Sequence, residues 1–311
     1  MKAESRALTI GALANLAMAF MAWYTFYLSN SEAILLDGNY SFIMFLSVLV
    51  ALQISKIKTN KTPTFPMGQF FYEALYSFVK GLLILGVLIM AVTTAVVRIL
   101  LYIGGEQAQI PRMFPEPILY YAVLCTIICY GVSFFFFLQN RSQGFSSIML
   151  KTEQKASFID GSLSLGIAGG IFLLMMGASP ERDSFIPYLA DSIFVLILAS
   201  FLIKEPVKII KESVIELAGG TLQDQNKKAF FEQAVHSGLA SGLNVKDIFI
   251  SKNGSRYIII VYITTEGHAY LKSDLQKSKK SILESVSTLH PYAVVDLIPE
   301  ACPLKSSIQL I

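Results

Sequence analysis

Six long apolar runs separated by short polar stretches occupy the first two thirds of the chain. A membrane span needs about 20 mostly apolar residues. The runs at about 8–29, 33–53, 77–103, 117–138, 156–177 and 186–204 come to that length or near it. The hinges between them are polar: SNSE, SKIKTNKTPTFPMGQ, GGEQAQIPRMFPEP, QNRSQGFSS and GASPERDSF. After about Glu205 the pattern changes. LQDQNKKAFFEQAVHSGLASG carries apolar positions at helical spacing and ends on Gly, the residue that commonly stops a helix. VKDIFISKNGSRYIIIVYIT holds two β-rich runs around Asn253-Gly254, a dipeptide that favours tight hairpins. YLKSDLQKSKKSILESVSTL predicts a second helix, and YAVVDLIP a third strand.

These elements predict an α-helical membrane protein with six transmembrane helices and a small C-terminal domain. The α-β-β-α-β order of that domain predicts an α+β sandwich, ferredoxin-like or metallochaperone-like, with helices on one face of a sheet. Its third strand either extends a neighbour's sheet or closes its own. The expected boundaries are 1–205 for the membrane domain, 206–220 for a linker and 221–311 for a cytoplasmic domain.

Composition agrees with the pattern. Of 311 residues 54% are hydrophobic and only 15% charged, with a mean hydropathy of +0.57, too apolar for an ordinary soluble domain. The net charge of +3 says little; where the charges fall says more. One set of flanks holds Lys2, Arg6, Lys56, Lys58, Lys61, Arg141, Lys151, Lys155, Lys204, Lys208 and Lys211. The opposite set holds little besides Arg112 and Arg182, with Arg98 near the outer end of the third run. By the positive-inside rule both termini are cytoplasmic. The first run has no convincing small-residue cleavage site and is read as a helix that stays. The basic loops are topology determinants, so nucleic acid is not an expected partner. Cys125, Cys129 and Cys302 form no C-x-x-C pair and no disulfide framework.

Ionisable side chains inside apolar runs cost at least a few kcal/mol unless paired or hydrated, so they point to function. Asp37 lies in the second run and Asp160 in the fifth. Asp191 and Lys80 lie near the ends of the sixth and third, where a side chain can reach the interface. Asp37 and Ser41 are four residues apart and share a helix face, as do Ala156 and Asp160. Two helices packed along those faces bring two carboxylates together, an arrangement that invites a divalent cation. Gly166 and Gly170 give the fifth run a small face for close helix packing. Cys125 and Cys129 share a face and suit a soft metal, although free cysteines commonly serve as small buried hydrophobes. His236, His268 and His290 are well separated, with no metal-ligand spacing. Without a P-loop, G-x-S-x-G or H-E-x-x-H, no enzyme class is expected.

Four passages resemble the cation diffusion facilitators, six-helix divalent-metal/proton antiporters with a cytoplasmic C-terminal domain. AILLDGNYS looks like the family's second span, with Asp and a second ligand four residues on. FPMGQFFYEALYSFVKGLLIL is similar to the P-x-G-x-x-x-x-E signature through Pro66, Gly68 and Glu73. KASFIDGSLS looks like the fifth span, and YLADSIFVLILASFLIKEPVKIIKESVIELAGG like the sixth and its exit. The resemblance implies a transported ion held by two side chains on each of two helices. Carried over, those positions are Asp37, Ser41, Ala156 and Asp160. Ala156 cannot ligate and Ser41 is a weak neutral oxygen, so at most three protein donors remain, all oxygen. Such a set suits harder cations than zinc, with Mn, Fe, Mg or Zn left open. Asn39, Gln154 and Asn15 are secondary candidates for completing the shell. In the C-terminal domain the strand YIIIVYIT lacks His, and only Asp274 and Glu300 are plausible carboxylates, which argues against regulatory metal binding.

The resemblance implies alternating access in the cell (inner) membrane, with a cytoplasmic cation released outside as the acids take up protons. It also implies a homodimer formed through the C-terminal domain, and no cofactor beyond the transported ion. Two rivals keep the same fold: a transport-inactive homologue serving as a partner subunit or sensor, and a transporter of another cation, monovalent or organic.

Overall fold

The computed structural model describes residues 2–111, 113–142, 148–177, 186–240, 242–265 and 272–299. Six helices account for the six apolar runs. They are α1 Lys2–Ser29, α2 Glu32–Ile57, α3 Phe71–Ile103, α4 Pro115–Ser142, α5 Ile148–Gly177 and α6 Ile186–Leu202. Among the described residues, four of them (α1 to α4) are long and apolar enough to cross a membrane. Their apolar character runs all round, so large side chains such as Met90 and Tyr120 point outward, 72% and 76% exposed. That is the surface of a helix solvated by lipid. Arg112 and Arg182, read above as outer-side charges, lie outside the described residues.

The chain divides into two compact units. One comprises the chain to Gln53 and Val79–Lys208; the other comprises Ile54–Phe78 and the chain after Lys208. In the helical unit, α4 packs on α5 and on α1. Met18, Ala22, Ile34, Ile118, Tyr121, Cys125, Cys129 and Ala190 form one buried cluster that joins α1, α2, α4 and α6. A second cluster, including Leu36, Ile84, Leu88, Ala95, Val195 and Ala199, joins α2, α3 and α6. At the α1–α2 corner Asn30 adopts φ 55°, the left-handed conformation that Asn tolerates better than most residues.

In the second unit, the stretch expected to be a linker is mostly helical, as α7 Lys204–Leu217. Lysines and glutamates on one side of α7 alternate with Val207, Ile209, Ile210 and Val214, a helical period that a reading by composition alone passes over. The order beyond it is the expected one: α8 Gln225–Gly238, β1 Leu243–Asn253, β2 Arg256–Thr265, α9 Lys272–Ser287 and β3 Val294–Pro299. β2 is the central strand, antiparallel to β1 and parallel to β3, so the third strand closes its own sheet. Alternation along β2 buries Tyr257, Ile259, Val261 and Ile263 against Phe231 and Val235 of α8 and Ile282 and Val286 of α9. Asp224 caps α8 by accepting from the Asn226 and Lys227 amides. Asn253 pairs with Arg256, so the hairpin's two turn residues are Gly254 and Ser255, one position later than the Asn-Gly signal implied. Gly254 at φ 61° supplies the positive dihedral that a type II′ turn needs at its first central position.

The loop between α2 and α3, expected to be a polar hinge, belongs with this second unit. Glu73 accepts from both the amide and the hydroxyl of Ser255 at the hairpin tip. Lys58 Nζ bridges Glu73 Oε1 at 2.8 Å and the Ser255 hydroxyl at 2.9 Å. From the other side Glu216 at the end of α7 accepts from the Gly254 amide and pairs with Lys252 at 3.0 Å. The Arg256 guanidinium donates to the Met67 carbonyl and stacks over Phe70, whose ring lies 5.2 Å from Tyr292. Gly68 of the same loop adopts φ 91°, a conformation that favours glycine.

Candidate cation site

Asp37 lies on α2, half-buried, and the buried Tyr121 of α4 donates its hydroxyl to Asp37 Oδ2 at 2.5 Å. The next residue, Gly38, is where α1 comes close: a β-carbon there would stand 2.7 Å from Ala22 Cβ and 3.2 Å from the Trp23 ring. Asn39 accepts from Trp23 Nε1 at 3.1 Å, so its carbonyl oxygen is engaged across the α1–α2 interface. Ser41 is buried one turn after Asp37, as the spacing predicts.

The second acid repeats the pattern. Asp160 is half-buried on α5, and Gly161 directly follows it. A β-carbon at Gly161 would stand 2.9 Å from the Tyr130 ring and 3.0 Å from Cys129 Cβ, so α4 passes close there. Each acid therefore sits beside a glycine that admits a neighbouring helix, α1 at Gly38 and α4 at Gly161. Cys129 lines a cavity with Asp160 and packs in the buried cluster that holds Tyr121, the partner of Asp37. The side chain of Ala156 is outside the described residues. Gln154 is half-buried on α5, and its backbone carbonyl accepts from the Ser133 hydroxyl at 2.9 Å. Asn15 faces Asp160, Ser157, Met18 and Cys129 across a cavity of about 20 Å³, room for one water or one ion.

Three features escaped sequence reasoning. Tyr121 carried no signal, because an aromatic residue in an apolar run is unremarkable. The repeated Asp-Gly dipeptide was visible but unweighted. Met18 of α1 lies 3.5 Å through its sulfur from the sulfurs of both Cys125 and Cys129. The oxygen-only donor set was drawn from the second and fifth spans, and these three sulfurs come from the first and fourth. Of the two glycines expected to make a packing face, Gly170 meets the Phe194 ring at 3.1 Å, while Gly166 has nothing within 4 Å. Among the described residues no three His, Cys, Asp or Glu side chains stand together as a preformed metal cage.

Asp191 was expected to reach the interface. Instead it is 2% exposed and caps α2. It accepts from the Ser31 hydroxyl at 2.5 Å and from the Glu32 and Ala33 amides at 2.7 and 3.3 Å. Arg98 of α3 pairs with Asp191 at 3.3 Å and with Glu32 at 2.7 Å. The cluster satisfies the orphan amides that open α2, the helix carrying Asp37.

The histidines of the second unit form no centre among the described residues. His236 is exposed, and His268 lies outside the described residues, as do Glu300 and Cys302. His290 packs against Phe231 and Tyr257, 5.2 and 4.6 Å between ring centres. Burial, with a smaller contribution from Lys227, pushes its imidazole below the usual histidine range.

A bundle of apolar helices with carboxylates in its interior defines an integral membrane protein with a polar site built for a small charged species. Residues 8–218 match the cation efflux transmembrane domain, about two thirds of the chain. The chain belongs to that family, and its function is cation transport. No curated protein matches it.

Proposed function

We propose that this protein exports a divalent metal cation from the cytoplasm in exchange for protons. The ion is held between α2 and α5 by Asp37 and Asp160, with Ser41 as a third oxygen and Asn15 able to join from α1. The single observation that carries this reading is one buried cluster that touches both acids: its Tyr121 donates to Asp37, and its Cys129 lines the cavity beside Asp160. Two nearby carboxylates share negative charge poorly, so a cation or a proton must accompany them, and exchange of one for the other couples the fluxes.

Alternating access through six spans requires α5 and α6 to cross the bilayer beside α1 to α4. Both termini then face the cytoplasm, as the basic flanks favour, and the cell (inner) membrane is the proposed location. The C-terminal α+β unit is the proposed dimerisation domain. Phe249 and Ile298 are exposed on the sheet face opposite α8 and α9, where a second copy has apolar surface to cover.

The test is flux of Mn²⁺, Fe²⁺, Mg²⁺ and Zn²⁺ into inverted vesicles with and without an imposed pH gradient. We expect gradient-dependent uptake of at least one ion and its loss in Asp37→Ala and Asp160→Ala. No uptake of any divalent ion, or full uptake after Asp160→Ala, rejects the reading. The former result favours a transport-inactive partner subunit or a carrier of another cation.

A further inference from the structure

We propose that Met18, Cys125 and Cys129 form a soft-donor site for a thiophilic d¹⁰ cation such as Cd²⁺ or Zn²⁺, abutting the two acids. Cys125 and Cys129 are four residues apart on α4 and present their thiols on one face. Met18 of α1 closes the third corner, its sulfur 3.5 Å from each thiol sulfur. With Zn–S bonds of about 2.3 Å, the edges of a tetrahedral sulfur shell are about 3.8 Å long. The two Met18–cysteine separations fall short of that edge by only a few tenths of an ångström.

The surroundings distinguish this cluster from ordinary sulfur packing. Met18 and Cys129 line the cavity of about 20 Å³ that also holds Asn15 and Asp160. Cys125 packs with Tyr121, which donates to Asp37. Asp160 thus shares a cavity with Cys129 and Met18, and Tyr121 stands between the cysteines and Asp37. Thiolate and thioether donors select soft or borderline cations, and the flanking carboxylates add charge that suits a divalent ion. Binding releases the two thiol protons to water, so a divalent cation and two thiolates are together neutral. These sulfurs supply donors that α2 and α5 lack. Their role in cation selection rests on the transport reading above, whereas the binding itself does not.

The experiment uses the full-length chain purified into lipid nanodiscs, with Cys302→Ser as background, titrated with Cd²⁺. We expect one Cd²⁺ per chain, a sulfur-to-metal charge-transfer band in the ultraviolet, and cadmium–sulfur scattering in X-ray absorption. Cys125→Ser with Cys129→Ser should abolish the band, and the near-isosteric Met18→Leu should weaken binding roughly tenfold. Absence of sulfur from the cadmium shell of the background protein overturns the proposal without recourse to any core variant. So does an unchanged band in the double serine variant. Gradient-driven flux that needs Asp160 but shows no cadmium–sulfur signal rejects this site and keeps the transport reading. A cadmium–sulfur signal in a chain that moves no divalent ion does the reverse.

Discussion

Removing the Asp191 carboxylate tests how α2 is held. In Asp191→Ala the Ser31 hydroxyl and the Glu32 and Ala33 amides lose their acceptor in a buried setting, and Arg98 keeps Glu32 and the Asn30 carbonyl. A hydrogen bond to a charged group contributes about 1.5–3 kcal/mol. Deleting one partner of a buried ion pair costs about 3–5 kcal/mol. The contacts share one carboxylate and do not add, so about 3–5 kcal/mol is the expected total. Trp23 is the single tryptophan of the chain, and it packs against Asn39 and Gly38 of α2. Its fluorescence therefore reports α1–α2 packing during unfolding of the purified protein in mixed micelles. Asp191→Asn, which keeps the shape and loses the charge, should fall between the alanine variant and the parent. A cycle with Arg98→Ala should show a coupling of at least about 0.5 kcal/mol. A loss below about 0.5 kcal/mol in Asp191→Ala, the size of a surface substitution, refutes the view that this cluster anchors α2.

Glu73→Ala frees the hairpin tip. The Ser255 amide should exchange roughly 10- to 100-fold faster, as loss of a charge-assisted hydrogen bond of about 1.5–3 kcal/mol implies, with little change in the α8–α9 core by hydrogen-exchange mass spectrometry. Gly38→Val and Gly161→Val should each cost about 1–3 kcal/mol by overpacking. Gly166→Ala, with open space around it, should be neutral or should stabilise α5 by up to about 1 kcal/mol in the same unfolding assay. Burial lowers the His290 pKa in the folded state, so the unfolded chain binds the proton more readily than the folded one. Stability of the second unit is then complete above the unfolded value, near 6.5, and falls as pH drops through it. His290→Phe, which fits the aromatic neighbours, should flatten that slope in thermal melts across the acid range.

Much was legible in the sequence because some constraints are local. Continuous apolar runs cannot be solvated by water, so they marked the helices of the membrane unit, of which α1 to α4 are long and apolar enough among the described residues to cross a membrane. An aspartate inside such a run is expensive whatever surrounds it, so Asp37 and Asp160 declared themselves. YIIIVYIT is apolar on both faces, so it marked a strand and left the buried face of β2 to the packing of α8 and α9, while the order α-β-β-α-β followed from patterning alone. The family match over residues 8–218 agrees with the motifs that first suggested it. The Asn-Gly signal located the hairpin within one residue, since the dihedral preference belongs to the glycine.

Other features depended on which helices meet, and no local pattern encodes that. Asp191 looked like an end-of-span residue until Arg98 and the start of α2 were found around it. The polar loop holding Pro66, Gly68 and Glu73 looked like a hinge, yet its carboxylate is satisfied by a turn 182 residues away in sequence. Ser41 looked like a deficit in the donor set of α2 and α5. Cys125 and Cys129 were already soft-donor candidates in the sequence, and Met18 joined them only when α1 packed on α4. The sequence by itself determined the solvent of each segment and the positions of the costly charges, because burial free energy is written residue by residue. The partners of those charges were decided only by tertiary packing, because a buried charge is satisfied by whatever the fold brings within about 3 Å of it.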